Sequence, residues 1–317
     1  EEFAESEETV PLRQGVWAPN QSSLSAANNF ARIVLIELVL AAIEGDHKNA
    51  IAAYDTLFSL SDRVIHAGSA QSFLTGLGIK RGALRAIEQA ATQAPNREEF
   101  CKEMSVRLAM WHPVEDIRMG LRFEPEIADQ FLERVSPKEI DNIVGHMNSV
   151  IVMQESDAVN DALDKITANE LLEQNRSRAW KMWQNFFGSL QSVREGEEPF
   201  QVALSVLDEE MNSTGVETMA ARRLAAYTRD PVFSAMSLFD LYRATKVGLE
   251  TLATGVPPSP EGLQSVNQTF DGDLKRFQVV PVRPTYPGMA TSYLRLNSFN
   301  YPSITRTLNY RAPLRAR

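Results

Sequence analysis

Residues 24–65 read LSAANNFARIVLIELVLAAIEGDHKNAIAAYDTLFSLSDRVI and give the clearest indication of the fold class. Large apolar side chains recur at the three- and four-residue steps of a helix, at Ile33, Ile36, Leu40 and Ile43. Gly45 is suited to end that helix, and Asp46 is suited to cap the next one. The stretch therefore predicts two helices joined by a short turn, with their apolar stripes buried against other helices.

Helix signals of the same kind continue to about residue 254. Three capping side chains stand three residues before an acid, namely Asn96 before Glu99, Ser136 before Glu139 and Thr167 before Glu170. Three prolines follow an acid and suit the first turn of a helix, namely Pro125, Pro199 and Pro231. These signals predict a mainly α fold, either a multi-helix bundle or an irregular helical array of about ten helices.

The pattern changes after residue 254. Residues 255–260 read GVPPSP, which cannot continue a helix. Segments of strand character follow at Phe277–Val282, Tyr293–Leu296 and Ile304–Leu308, and the nearby prolines suit strands at sheet edges. We expect three regions: an acidic extended N-terminal arm (1–23), a helical domain (24–254), and a Pro-rich turn with a basic β-unit or extended C-terminal arm (255–317).

Charge is divided unevenly along the chain. The net charge is −9, yet residues 274–317 carry eight basic and no acidic side chains, and the first eight residues include five glutamates. The basic stretch is compatible with nucleic acid, with anionic lipid, with an acidic protein surface of the same or a neighbouring subunit, or with an ordinary solvated tail. The basic residues of this stretch are sparse, and almost all of them are arginine rather than lysine. Nucleic acid is therefore disfavoured as a partner, and protein subunits of an assembly are the expected partners.

Few residues follow the patterns of catalytic or metal-binding groups. One cysteine and four histidines exclude a Cys-rich metal site and leave little material for a histidine site. The sequence contains no phosphate-binding glycine loop, no zinc-protease motif and no nucleophile elbow, so we assign no catalytic, cofactor-binding or metal residue. Acids on one predicted helix face are Asp157, Asp161 and Asp164.

Three further observations concern individual residues. Ser69 lies near His66 and Asp62, a grouping that is common by chance. Cys101 is expected to be a small buried thiol. The longest apolar run, Ala31–Ile43, is interrupted by charges and is too short to cross a bilayer, so we expect no transmembrane segment. Because the chain begins at Glu1, a signal or anchor removed from a precursor is compatible with it.

Aromatic residues concentrate between positions 167 and 190. Trp180, Trp183 and Phe187 share one predicted helix face, which suits either a helix seam in the core or a hydrophobic partner surface. A tryptophan in the N-terminal arm is costly to leave in water and is expected to dock. The candidate partner-binding residues are Trp17, Trp180, Trp183, Arg295, Arg306 and Arg311.

Two parts of the chain resemble known families. Residues 30–65 resemble a single tetratricopeptide hairpin, through Ala42, Gly45-Asp46, Ala50, Tyr54 and Leu57. That resemblance implies a helical hairpin, and since no second copy follows it does not imply a peptide-binding array. The C-terminal third resembles uncharacterised bacterial envelope-anchored helical proteins, through Tyr242-Arg243-Ala244, Gly255-Val256-Pro257-Pro258-Ser259, Leu263 and Phe270-Asp271-Gly272. This second resemblance implies a bacterial envelope setting.

The sequence as a whole favours a non-enzymatic protein-interaction or scaffold subunit of a larger assembly. A structural protein of a phage virion, matured by proteolysis, is one alternative. A helical hydrolase that uses carboxylates is the other, and the acids to test first are Glu115, Asp116, Asp157 and Asp161. A deep pocket with converging carboxylates would favour the hydrolase, whereas an open aromatic-rimmed surface near the tryptophans would favour the scaffold.

Overall fold

A computed structural model describes residues 21–108, 111–134, 166–191, 199–254, 266–271, 276–281 and 308–311. This part of the chain is dominated by helices, which confirms the prediction of a mainly α fold. The helices are α1 (Gln21–Glu44), α2 (His47–Ile65), α3 (Ala70–Gln93), α4 (Arg97–Leu108), α5 (Pro113–Gly120), α6 (Glu124–Arg134), α7 (Ala168–Gln191), α8 (Pro199–Met211) and α9 (Met219–Thr254), with a 3-10 turn at Val216–Thr218 before α9. The strands are β1 (Val266–Asp271), β2 (Arg276–Pro281) and β3 (Leu308–Arg311).

The chain divides into two compact units. The described residues of unit 1 come mainly from Val64–Thr75 and Pro113–Ala235. Those of unit 2 come from Ser25–Arg63, Gly76–His112 and the part of the chain after Met236.

The turn between α1 and α2 has the geometry that its sequence predicts. Gly45 has φ = 81°, which is the left-handed conformation that glycine adopts most easily. The amides of Gly45 and Asp46 donate to the carbonyl oxygens of Ala42 and Ala41 at 3.2 and 2.8 Å, which satisfies the last carbonyls of α1. The Asp46 carboxylate then accepts the Asn49 amide at 3.1 Å and caps α2.

The predicted capping pair before α7 is also confirmed. The Glu170 carboxylate accepts the Thr167 amide at 3.0 Å, and the Glu170 amide donates to the Thr167 hydroxyl at 3.3 Å. The same carboxylate accepts the Thr167 hydroxyl proton at 2.6 Å, and these hydrogen bonds lower the pKa of Glu170. Two otherwise unpaired amides of the first turn are thus satisfied.

One predicted helix start is wrong. Pro231 lies inside α9 and does not begin a helix. Proline removes one backbone donor and normally bends or ends a helix. Here its neighbours Val232 and Ala235 are buried, so packing outweighs the local preference and the helix continues.

The three strands form one antiparallel sheet in the order β1-β2-β3. Strand β2 is expected at an edge of the sheet but lies between the other two strands. Pro281 is its last residue and pairs with Val266, whereas the pairing with β3 ends at Val279. The proline therefore stands where the β3 ladder needs no donor. Of the other predicted strands, Tyr293–Leu296 lies outside the described residues.

The apolar stripe of α1 faces the opposite way from the prediction. The buried side chains of this helix in unit 2 are Ala31, Val34, Leu38, Ala41 and Ala42. The predicted stripe is exposed instead and comprises Ile33, Ile36, Leu40 and Ile43; the neighbouring Phe30 is exposed as well. Helix α1 is therefore apolar on two opposite sides, and only one of them packs inside unit 2.

Helix α1 also bears on the question of a membrane span. Among the described residues, one helix, Ser22–Glu44, has the length and composition to cross a membrane. One such helix is weak evidence, because core helices of soluble proteins meet the same standard. The finding is consistent with the prediction of no transmembrane segment.

Unit 2 contains a buried lysine in the part of α3 that carries two glycines. The Lys80 ammonium lies 2.8 Å from the Asp62 carboxylate and about 5 Å from the ring centres of Phe58 and Trp111. Such a cation is stabilised by its counter-ion and by the negative ring faces. The segment Gly76–Lys80 is thus an ordinary part of a helix.

Candidate partner-binding surface

Helix α7 in unit 1 is amphipathic along its whole length. One face is buried and consists of Leu171, Asn175, Ala179, Met182, Trp183, Phe186 and Leu190. The opposite face is a solvent-exposed ridge that includes Asn169, Glu173, Ser177, Trp180 and Lys181. Helix α7 packs against α6 and α8, and also against the 3-10 turn.

The two tryptophans of α7 have different environments. Trp183 is 2% exposed and stacks against Phe187, with ring centres 5.8 Å apart. Trp180 is 48% exposed and lies on the ridge. The structure therefore places Trp183 in the core, and of this pair Trp180 is the residue open to a partner.

A buried asparagine fixes the inner face of α7. The Asn175 side-chain amide donates to the carbonyl oxygens of Leu171 at 3.0 Å and Val216 at 2.9 Å. Its side-chain oxygen accepts the Ala220 amide at 2.8 Å. These bonds connect α7 to the 3-10 turn and to the start of α9, and they satisfy a polar group that would be costly to bury alone.

Ion pairs hold both flanks of the ridge. The Arg176 guanidinium donates two parallel bonds to Asp129 at 2.8 and 2.9 Å and a third to Glu133 at 2.8 Å, which ties α7 to α6. Arg178 donates to the buried Glu210 of α8 at 2.8 Å. The bonds to Asp129 and Glu210 raise the pKa of each arginine, so both stay charged at physiological pH.

Two open grooves run along the ridge. The larger has a volume of about 720 Å³ and is lined by Asp129, Asn169, Leu172, Glu173, Arg176, Ser177 and Trp180. The smaller has a volume of about 390 Å³ and is lined by Glu173, Gln174, Ser177, Arg178, Lys181 and Glu217. Arg176 is already engaged by Asp129 and Glu133, so the larger groove has an excess of negative charge beside an exposed indole ring.

The other four candidate partner residues give no surface to describe. Trp17, Arg295 and Arg306 lie outside the described residues. Arg311 is the last residue of β3, where its backbone is paired opposite Arg276. The predicted partner roles of these residues remain predictions.

The acids proposed for a hydrolase are not brought together in the described residues. Glu115 is exposed and forms an ion pair with Arg118 at 2.9 Å, within α5. Asp116 is buried in the first turn of the same helix. Asp157, Asp161 and Asp164 lie outside the described residues, and within the part that is described no group of three metal-ligating side chains occurs.

The remaining candidate side chains have structural surroundings. Ser69 caps α3, since its hydroxyl accepts the Ser72 amide at 3.2 Å. Asp62 pairs with Lys80, as described above. Cys101 is fully buried in α4, and its burial raises the pKa of the thiol to about 12, as expected for an inert thiol.

Sequence reasoning missed the groups that shape the α7 surface. Asn175 carried a usable signal, because it is a polar residue in the middle of an apolar helix face. Asp129 and Arg176 carried none, since a pairing across 47 residues depends on how two helices pack.

Comparison of the chain with protein-family models, with curated proteins and with solved structures finds no match. Function must therefore be inferred from the surfaces themselves.

Proposed function

We propose that this chain is a non-enzymatic protein-interaction or scaffold subunit of a larger assembly, and that the exposed ridge of α7 is a partner-binding surface. The observation that carries the proposal is the larger groove beside Trp180. A half-exposed tryptophan next to a groove of about 720 Å³ is a typical anchor for a protein partner.

The rigidity of this surface supports a binding role. Asn175 fixes the inner face of α7, while Arg176 and Arg178 fix its two flanks. A surface that is ordered before binding loses less conformational entropy when a partner docks.

The charge of the groove indicates the chemistry of the partner. The described lining of the larger groove includes the acids Asp129 and Glu173 and the cation Arg176, whose charge is also shared with Glu133. A basic segment that carries an apolar or aromatic side chain would pair with both the acids and the indole ring. The basic stretch of residues 274–317 has this composition, so a neighbouring copy is one source of such a segment.

A labelled peptide tests this directly. The peptide carries residues 301–317, which include four arginines and no acid. We expect its fluorescence anisotropy to report binding to the full chain, and Trp180→Ala to weaken binding by about fivefold or more, equivalent to about 1 kcal/mol. Glu173→Lys should weaken binding as well and reduce its dependence on salt.

The matched control is Tyr227→Ala, which removes another exposed aromatic residue of unit 1, 55% exposed and away from both grooves. Equal binding by wild type, Trp180→Ala and Glu173→Lys would contradict the ridge as the binding surface. Affinity isolation of the native protein is then repeated with the same variants. The partner of the ridge is the protein that Trp180→Ala no longer captures and Tyr227→Ala still captures.

The setting of the assembly is proposed from the sequence resemblance of the C-terminal third alone. A bacterial envelope complex is the favoured setting, and a phage particle is the alternative. Mass spectrometry of the mature N-terminus in the native host distinguishes them, because a signal-peptidase site and a capsid-protease site leave different preceding sequences.

A further inference from the structure

The exposed side of α1 has the spacing of a coiled-coil seam. Positions 33, 36, 40 and 43 are separated by three, four and three residues. They are Ile33, Ile36, Leu40 and Ile43, and all four side chains are exposed. A narrow apolar stripe with this alternation is the pattern by which one helix packs lengthwise on another.

The buried residues of α1 lie away from the stripe, so another helix can pack on the stripe without a clash with the rest of unit 2. In the heptad that places Ile33 and Leu40 at a and Ile36 and Ile43 at d, the buried residues Ala31 and Leu38 fall at f, and Val34 falls at b. Positions b and f face away from a coiled-coil seam. The body of unit 2 therefore lies on the side of α1 opposite to the stripe and does not block it.

The charges beside the stripe favour one kind of partner. Arg32 falls at g and Glu37 at the following e position, on opposite flanks of the stripe, and both are exposed. In parallel coiled coils a g residue meets the following e residue of the neighbouring helix. A second copy of α1 in parallel register therefore pairs Arg32 with Glu37. An antiparallel copy that aligns Ile33 with Ile43 and Ile36 with Leu40 is centred on residue 38 and places the two Glu37 side chains near each other on one flank.

We propose that this chain self-associates through α1, with the α1 helices of neighbouring copies packed in parallel along Ile33, Ile36, Leu40 and Ile43. The a positions hold Ile33 and Leu40 and the d positions hold isoleucine, and either residue at a with isoleucine at d favours three or four strands over two. The seam is only about 15 Å long, so association through it is weak and depends on protein concentration. The proposal does not rest on the α7 surface.

A lipid surface is the main competing occupant, and the observations disfavour it. Arg32 and Glu37 lie in the middle of α1, where a membrane-inserted helix would have to bury them at high cost. The polar residues beside the stripe are also not the lysine- and arginine-rich set of helices that lie on anionic membranes.

The first test is the mass of the full chain in a concentration series, measured by sedimentation equilibrium. We expect Ile36→Lys to weaken self-association by about tenfold or more. The control is Val106→Lys on α4, because Val106 is 65% exposed and Ile36 is 62% exposed, so both variants place a charge at an exposed helical position. Circular dichroism of each variant should match the wild type.

The second test is a charge exchange that identifies the partner as another copy. Arg32→Glu and Glu37→Arg should each weaken association, and the double variant should restore it, because the pair is re-formed across the seam with its signs reversed. The two residues are five apart on one helix, so they do not form the usual i,i+4 pair within α1.

Three outcomes would overturn the proposal. They are a monomeric wild-type chain at every concentration, association that Ile36→Lys leaves unchanged, and a double variant that associates no better than either single one. Co-sedimentation of the monomeric chain with phosphatidylcholine or phosphatidylglycerol vesicles, lost in Ile36→Lys, would assign the stripe to a membrane instead. We expect these variants to leave binding of the peptide at α7 unchanged, so failure here is distinguishable from failure of the proposed function.

Discussion

Helices α1 and α7 are both 24 residues long, yet they divide their side chains differently. Helix α7 buries one apolar face and carries a polar ridge whose arginines bind acids of α6 and α8. Helix α1 buries alanine, valine and leucine on one side and exposes isoleucine and leucine on the other. Burial of larger apolar side chains releases more free energy. The face of α1 whose burial would release more free energy, the isoleucine and leucine face, is therefore still exposed to water.

The comparison shows that these helices are suited to different kinds of contact. A charged ridge with one indole ring suits a polar segment that docks and leaves, because its surface is stable when unoccupied. An apolar seam is poorly suited to water and is stabilised when another helix packs on it, as in the weak self-association proposed for α1.

The largest effect should come from the core side of α7. Trp183→Ala leaves a large cavity and should lower the free energy of unfolding by about 3–5 kcal/mol. Trp180→Ala on the outer side should change it by less than about 0.5 kcal/mol. Urea denaturation followed by circular dichroism measures both, and similar losses for the two variants would mean that α7 does not have an inner and an outer side.

A smaller effect of the same kind should separate the two sides of α1. Leu38→Ala removes a fully buried side chain and should cost about 2–4 kcal/mol. Leu40→Ala should cost little when measured at protein concentrations where the chain is a monomer. If the second variant were as destabilising as the first under those conditions, the stripe would be covered by the chain itself.

The smallest expected effect is a pH-dependent change in stability caused by one buried acid. The buried face of α1 contains no such group. Glu124 of α6 accepts the Ala70 amide at 2.6 Å, and burial raises its pKa. The folded state therefore holds the proton more tightly than the unfolded state, and stability is lost as the pH rises from the unfolded pKa through the folded one. Glu124→Gln keeps an acceptor for the amide and removes this loss.

We expect Glu124→Gln to be more stable than the wild type at neutral pH and equal to it below pH of about 4, where the carboxyl is protonated in both states. Urea midpoints at a series of pH values measure the difference. A gap that is constant with pH would mean that the ionisation of Glu124 does not contribute to it.

Local signals in the sequence predict the mainly α fold and the helix ends at Gly45-Asp46 and at Thr167. Gly45 with Asp46 and Thr167 with Glu170 act through neighbours three or four residues away, so their effect is visible without the fold. Pro231 was misread because buried neighbours outweigh the local preference of proline. The orientation of α1 was misread because both of its sides are apolar, so periodicity cannot tell which side packs.

The candidate surface could be predicted only in part. The sequence predicts that Trp180, Trp183 and Phe187 share one face, but the structure buries Trp183 and leaves Trp180 48% exposed. A separation of three residues does not reveal which ring faces water. The acidic character of the groove depends partly on Asp129, which α6 brings to α7, where Arg176 is shared between Asp129 and Glu133. Side-chain pairs from distant segments are determined by tertiary packing and leave no trace in the spacing of residues.

Cys101, the one cysteine of the chain, has a practical consequence. Its thiol is shut inside α4 and holds its proton at neutral pH, so alkylating reagents reach it only when the surrounding structure opens. The rate at which Cys101 is alkylated therefore reports how often unit 2 opens. A thiol introduced at the surface can, in turn, be labelled selectively without first removing the natural one.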